Sequence, residues 1–134
     1  MTAFPLKIVT PDGVQFEGQA EELIVRSTSG DIGILSGHMN CVTPLGMGRA
    51  TIVLEGKRRY AACIGGMLSV MNGQVTLLPT TFEWAENIDV PRAEASYERA
   101  RQILDNKQSS DTELRLAEAR LKRALVRKSI GSSR

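Results

Sequence analysis

The sequence predicts an α+β chain: an N-terminal all-β sandwich or flattened barrel over residues 1–84, then a C-terminal antiparallel two-helix hairpin over residues 85–134. Three observations predict it. Eleven of the twelve glycines lie at or before Gly73, and only Gly131 follows; glycine serves turns and weakens helix interiors. The apolar period changes from two to about 3.6 residues after Trp84. Charge shifts at the same place. Residues 1–84 carry 6 basic and 7 acidic side chains (net −1), whereas residues 85–134 carry 11 and 8 (net +3).

Within the first part, turn residues punctuate roughly eight to ten short strands. Phe4 to Thr10 alternates, Pro11-Asp12-Gly13 turns the chain, and Val14 and Phe16 continue the period of two. Glu22 to Thr28 places Leu23 and Val25 on one face. Ile32 to Leu35 is a short apolar run among Gly30, Gly33 and Gly37. Arg49 to Leu54 and Arg58 to Ile64 flank Glu55-Gly56-Lys57. Met67 to Met71 and Gln74 to Leu78 flank Asn72-Gly73, the strongest short hairpin signal. So many strands in so short a span predict a sandwich or flattened barrel.

The second part reads as two helices. Asp89 is an N-cap, and Pro91 falls in the first turn, where a missing N–H costs little. Ala93, Tyr97, Ala100 and Leu104 then form one helical stripe. Asn106 to Ser110 is a polar break, and Ser110 with Glu113 fits a capping box. Leu114, Ala117, Leu121 and Ala124 or Leu125 make the second stripe. The alanines are small enough for close helix approach. The stripe is narrow, so the hold of this hairpin is marginal.

Composition excludes several function classes. Hydrophobic residues are 42% and aromatics 4% of the 134, so the core is aliphatic; net charge is +2, too weak for an obligatory nucleic-acid or anionic-membrane partner. Apolar runs such as Ile52-Val53-Leu54 are far below the roughly 18 residues of a membrane span. The start, Met1 to Lys7, has no basic region followed by an apolar run, which predicts a cytosolic chain without a signal peptide. Cys41 and Cys63 are expected as free thiols. There is no phosphate loop and no G-x-S-x-G elbow. Gly46-Met47-Gly48 lacks the third glycine of a dinucleotide fingerprint. His38 is the only histidine, and with Cys41 it supplies too few ligands for structural zinc. The chain reads as a regulatory or binding protein, not an enzyme, with no metal and no required cofactor.

Several motifs, in order, carry a resemblance to a known family. Gly30-Asp31-Ile32-Gly33-Ile34-Leu35-Ser36-Gly37-His38 resembles the "SGxxGILPGH" stretch of ATP synthase epsilon subunits. Thr10-Pro11-Asp12-Gly13 matches their early turn, Gly65-Gly66-Met67-Leu68-Ser69-Val70 their "GGFxEV" segment, and Val75-Thr76-Leu77-Leu78 their "VTIL" strand. Ile88-Asp89-Val90-Pro91-Arg92-Ala93 matches the "IDxxRA" pattern of bacterial members that bind ATP. Ser36 stands where proline is usual, Met67 where phenylalanine is common, and Pro91 is unusual in its pattern. The resemblance implies a sandwich and a helical hairpin seated in the central stalk, at the cytoplasmic face of the cell membrane. It implies gamma, c-ring, alpha and beta subunits as partners, and a hairpin that folds down or extends to block ATP hydrolysis.

It also implies site residues. Asp31 and His38 lie in the loop that would meet the c-ring and gamma. ATP, as a regulatory ligand, would be held by Glu83, Ile88, Asp89, Arg92, Ala93, Arg99, Arg123 and Arg127. The residues agree: Arg92 and Arg99 share one face of the first helix, Arg123 and Arg127 one face of the second. Guanidinium forks suit phosphate oxygens. Pairing the helices symmetrically about the loop places residue 92 opposite roughly residue 125, so Arg92, Arg123 and Arg127 would converge at the open end. Arg115, Arg120, Lys122, Arg123, Arg127 and Lys128 make the second helix basic, suited to an acidic partner surface. The bland alternative is a solvated face, with Glu94, Glu98 and Glu118 pairing the arginines. A free-standing module for an acidic or nucleotide ligand and a small enzyme built on His38 are the competing classes; co-purification with the other subunits discriminates them.

Overall fold

The computed structural model of the protein describes residues 2–132. It divides into two compact units, Met1–Trp84 and Ala85–Arg134.

The first unit is a sandwich of two five-stranded sheets. Its strands are β1 (Phe4–Thr10), β2 (Gly13–Ala20), β3 (Glu22–Ser27), β4 (Gly30–Ile34), β5 (Cys41–Pro44), β6 (Met47–Leu54), β7 (Lys57–Ile64), β8 (Met67–Met71), β9 (Gln74–Leu78) and β10 (Thr81–Trp84). One sheet runs β2-β1-β9-β8-β5 and the other β10-β7-β6-β3-β4. Leu6, Ile8, Leu68 and Leu77 from the first sheet and Leu23, Val25 and Ile52 from the second are fully buried in one cluster. Alternation puts these side chains inward, and their burial, not hydrogen bonding, drives the stacking. The chain passes from sheet to sheet between β2 and β3, on both sides of β5, between β7 and β8, and between β9 and β10. The pairing of β1 with β9 is parallel.

The turns follow local chemistry. Asn72 and Gly73 both have positive φ (51° and 83°), as do Glu55 and Gly56 (51° and 77°). Positive φ at both central residues matches strand twist in two-residue hairpins. At the far end of β10, Trp84 meets Phe82 and Phe16 edge-on, with centroids 5.0 and 6.3 Å apart, and the Arg59 guanidinium lies 3.7 Å over the indole. This cluster uses three of the chain's six aromatic side chains to fix the strand that ends the unit.

The second unit opens with one 3-10 turn, Ala85–Asn87, and continues as α1 (Val90–Asp105) and α2 (Asp111–Ser132). Asp89 caps α1 by accepting from Arg92 N at 3.1 Å. Pro91 sits in the first turn and leaves this cap intact. Between the helices, Ser110 Oγ accepts from Glu113 N and Ser110 N donates to Glu113 Oε1, both at 3.2 Å, the reciprocal capping box that the sequence predicts. The seam is made of Ala93, Ala100, Ala117 and Ala124, all buried. Leu125 is half-exposed, so the second stripe runs through Ala124. Ile130 and Gly131 extend the seam beyond the predicted stripe.

Candidate functional site: a docking edge and an arginine-bearing hairpin

Asp31 is exposed on β4, where the register pairs it with Arg26 on β3. Arg26 Nε lies 2.9 Å from Asp31 Oδ1. The acid is therefore exposed and also half of an ion pair. His38 is half-buried in the loop after β4. Its N–H donates to Leu35 O at 3.2 Å, and Nδ1 lies 2.8 Å from the Met39 carbonyl. A carbonyl oxygen only accepts, so Nδ1 is the donor in that contact. The loop is tied to the β8–β9 turn by Asn72 N donating to Asn40 Oδ1 at 2.8 Å. Beside this tie, Met39, Val42 and Met71 are 76%, 59% and 50% exposed. Exposed apolar side chains on a tied loop suit contact with another chain.

Sequence reasoning missed Arg26, Asn40, Asn72 and these apolar neighbours. Arg26 was legible in principle: five residues before Asp31, across the Thr28-Ser29 turn, it falls in register. Asn40 and Asn72 are 32 residues apart, and no local signal links them.

In the second unit the structure places Ile88 and Ala93 in the buried seam, Asp89 at the cap, and Arg92 and Arg99 exposed on α1. Arg123 and Arg127 are half-buried on α2, while Arg115, Arg120 and Lys122 are exposed. Glu83 belongs to the other unit, on β10, in register with Ala62.

The register of the hairpin differs from the symmetric estimate. Lys128 Nζ reaches Glu94 Oε1 at 3.5 Å, and a side chain at Gly131 would press on Val90 Cγ2. These contacts put residue 92 level with about residue 129, one turn further along α2 than expected. Arg123 is then level with Arg99, and Arg127 lies between the levels of Arg92 and Arg99. The arginines form a ladder along the hairpin instead of a cluster at its open end. The asymmetry has a local cause: Ser109 Oγ bonds back to Ile103 O at 2.9 Å, so the loop folds against α1 before α2 begins.

Two carboxylates of the hairpin pair with lysines, and Asp105 lies 4.0 Å from Arg101 Nε. Glu94 pairs with Lys128 and Glu118 with Lys122, at 3.5 Å each. Lys128 also lies 5.1 Å over the Tyr97 ring. The Tyr97 hydroxyl accepts from Arg101, and this bond, with Asp105 beside it, holds that guanidinium above its ordinary range. Among the described residues no group of three or more His, Cys, Asp or Glu could hold a metal. Cys41 and Cys63 are free, and burial pushes the Cys63 thiol up to about 12. No helix is long and apolar enough to cross a membrane.

Together these features define a protein of two units, a β-sandwich and a helical hairpin. Comparison with known proteins places it further. The chain belongs to the ATP synthase delta/epsilon chain family: the beta-sandwich domain model matches residues 3–85 and the long alpha-helix domain model residues 86–129. It is 44% identical over 127 residues to the ATP synthase epsilon chain of Bacillus velezensis, covering 95% of this chain and 96% of that one. It is 41% identical to that of Ruminococcus albus over the whole of both chains. A chain of the Euglena gracilis mitochondrial ATP synthase, solved as OSCP/F1/c-ring, has the same fold, with TM-score 0.85 and 20% identity over 96% of this chain and 81% of that one. A chain of the Tetrahymena thermophila central stalk and c-ring aligns with TM-score 0.67 and 9% identity over 95% of each.

Proposed function

We propose that this chain is the non-catalytic central-stalk subunit of a proton-translocating rotary ATP synthase, at the cytoplasmic face of the cell membrane. The sandwich couples the gamma subunit to the c-ring through the edge that carries Asp31 and His38. The hairpin restrains ATP hydrolysis by the alpha and beta subunits, using the basic surface of α2. ATP is the regulatory ligand: bound along the arginine ladder, it favours the folded hairpin and relieves the restraint. Family membership supports the assembled subunit over a free-standing module.

The observation that carries the regulatory part is the hairpin itself. Its seam centres on four alanines, with Ile88 and Ile130 at its open end, and Arg92, Arg99, Arg123 and Arg127 stand at neighbouring levels beside a capped helix start. A ligand shifts such an equilibrium only by its differential affinity for the two states. Titration calorimetry with millimolar ATP tests the site: heat is expected with the parent chain and little with Arg92→Ala. Identical traces for the two remove the nucleotide role. Truncation after Asn87 is expected to raise ATPase activity of the assembled enzyme, and unchanged activity rules out the restraint. Asp31→Ala and His38→Ala are expected to weaken assembly and proton-coupled synthesis modestly, as rim contacts do.

A further inference from the structure

We infer that Arg26 is a positioning residue for Asp31, held in place by a lane that Gly46 and Gly48 leave open. The inference rests on the docking reading of the Asp31 edge. Half-exposed ion pairs usually contribute little, because ordering two side chains offsets the attraction. Here the side chains are 51% and 57% exposed, yet Arg26 is ordered before it pairs. Its carbonyl accepts from Gly46 N at 2.9 Å, which fixes its backbone beside the start of β6. Its stem lies across both glycines. A Cβ at Gly46 would stand 3.4 Å from Arg26 Cγ, and one at Gly48 would stand 2.7 Å from Cβ and 3.2 Å from Cγ. Any side chain at residue 48 would meet Arg26 at Cβ, which no rotation moves, so the strand as well as the stem would have to shift. Gly46-Met47-Gly48, which fails as a dinucleotide fingerprint, has this packing role instead.

The consequence falls on Asp31. Nε lies 2.9 Å from Oδ1, while the Asp31 side chain stays 57% exposed. The carboxylate is thus oriented by Arg26 and still open to solvent. Its chemistry suits an N–H or O–H donor on a neighbouring subunit, met without reorienting the acid.

A double-mutant cycle tests this on the whole chain rebound to ATP synthase stripped of this subunit, with Kd read by biolayer interferometry. D31N is expected to weaken binding about three- to fivefold, the range of a partly exposed charge. R26Q should weaken it similarly in the parent and not at all in the D31N background. G48A keeps both charges but evicts the stem, and should match R26Q. Melting curves confirm that each variant folds. If R26Q costs the same with and without D31N, Arg26 acts on the fold and not through Asp31, and the inference is overturned. It is also overturned if D31N weakens binding while R26Q and G48A leave it intact. If D31N itself changes nothing, the docking reading fails, and the positioning role falls with it.

Discussion

Replacing Gly66 by alanine should cost the sandwich about 3 kcal/mol, and the reason is visible atom by atom. Gly66 has φ +94°, and a Cβ built there lies 2.0 Å from Leu78 O, 2.7 Å from Pro79 Cα and 2.8 Å from Leu78 C. Every colliding atom is backbone, in the segment joining β9 to β10, so no side-chain rotation relieves the contact. Left-handed φ costs a non-glycine residue about 1 kcal/mol. Overpacking against a rigid neighbour adds about 1–3 kcal/mol. The sum, about 3 kcal/mol, compares with roughly 4–12 kcal/mol expected for a unit of this size. Gly73→Ala is the control. Its φ is +83°, but nothing lies within 4 Å of the added Cβ, so it should lose about 1 kcal/mol or less. Urea unfolding followed by the single tryptophan, Trp84, measures both variants. A difference between them below about 0.5 kcal/mol would refute the collision and leave only the backbone conformation.

Three further outcomes follow from single observations. Ser110→Ala removes the Oγ acceptor of Glu113 N but keeps the Ser110 backbone donor, and should destabilise the start of α2 by about 1 kcal/mol, read as roughly fivefold faster hydrogen exchange at the first amides of that helix. Thr81 Oγ1 is buried without a partner among the described residues, so Thr81→Val should stabilise by about 0.5–1 kcal/mol and raise Tm by a few degrees. The Cys63 thiol titrates at about 12 when folded against an ordinary value of 9.0. Between those values the unfolded chain releases the proton and the folded chain keeps it, so stability is full below about pH 9 and falls towards pH 12 by about 1.4 kcal/mol per unit. Cys63→Ala should abolish that component in denaturation series compared at about pH 8 and pH 10, and in the native parent only Cys41 should alkylate quickly at neutral pH.

Features set by neighbours in sequence were legible, and features set across the fold were not. Asp89, Ser110 with Glu113, and Asn72-Gly73 act within a few residues, so their chemistry announces a cap or turn before any tertiary contact exists. The two-sheet arrangement is different. Alternation in β1 and β9 tells which residues face inward, but nothing local says that Leu6 stands beside Val75 in parallel register. That pairing is chosen by the joint burial of many side chains. The arginine ladder shows the same limit in one number: a shift of about one turn, set by Ser109 reaching Ile103 and Glu94 reaching Lys128, regroups residues whose spacing along each helix was read correctly. The family resemblance supplied positions, and the structure supplied their company.

The choice of alanine for the seam bears on whether a nucleotide could govern the hairpin. Each buried methyl-sized group contributes about 0.8 kcal/mol, so the four alanines supply about 3 kcal/mol, to which the buried Ile88 and Ile130 at the open end add a few more. The cross-helix pair of Glu94 and Lys128 is half-exposed and adds little. A ligand present at about 100 times its Kd stabilises the state it binds by about 2.7 kcal/mol. That is comparable to the alanine contribution, so binding at ordinary affinity would shift the balance between paired and separated helices appreciably. A leucine seam of the same length would bury several-fold more apolar area, and no millimolar ligand could then set its state. Guanidinium groups at neighbouring levels repel one another, and an anion bound among them would offset that repulsion. On the proposed reading the two features work together: weak apolar closure leaves the pairing adjustable, and the arginines supply the contact through which a nucleotide would adjust it.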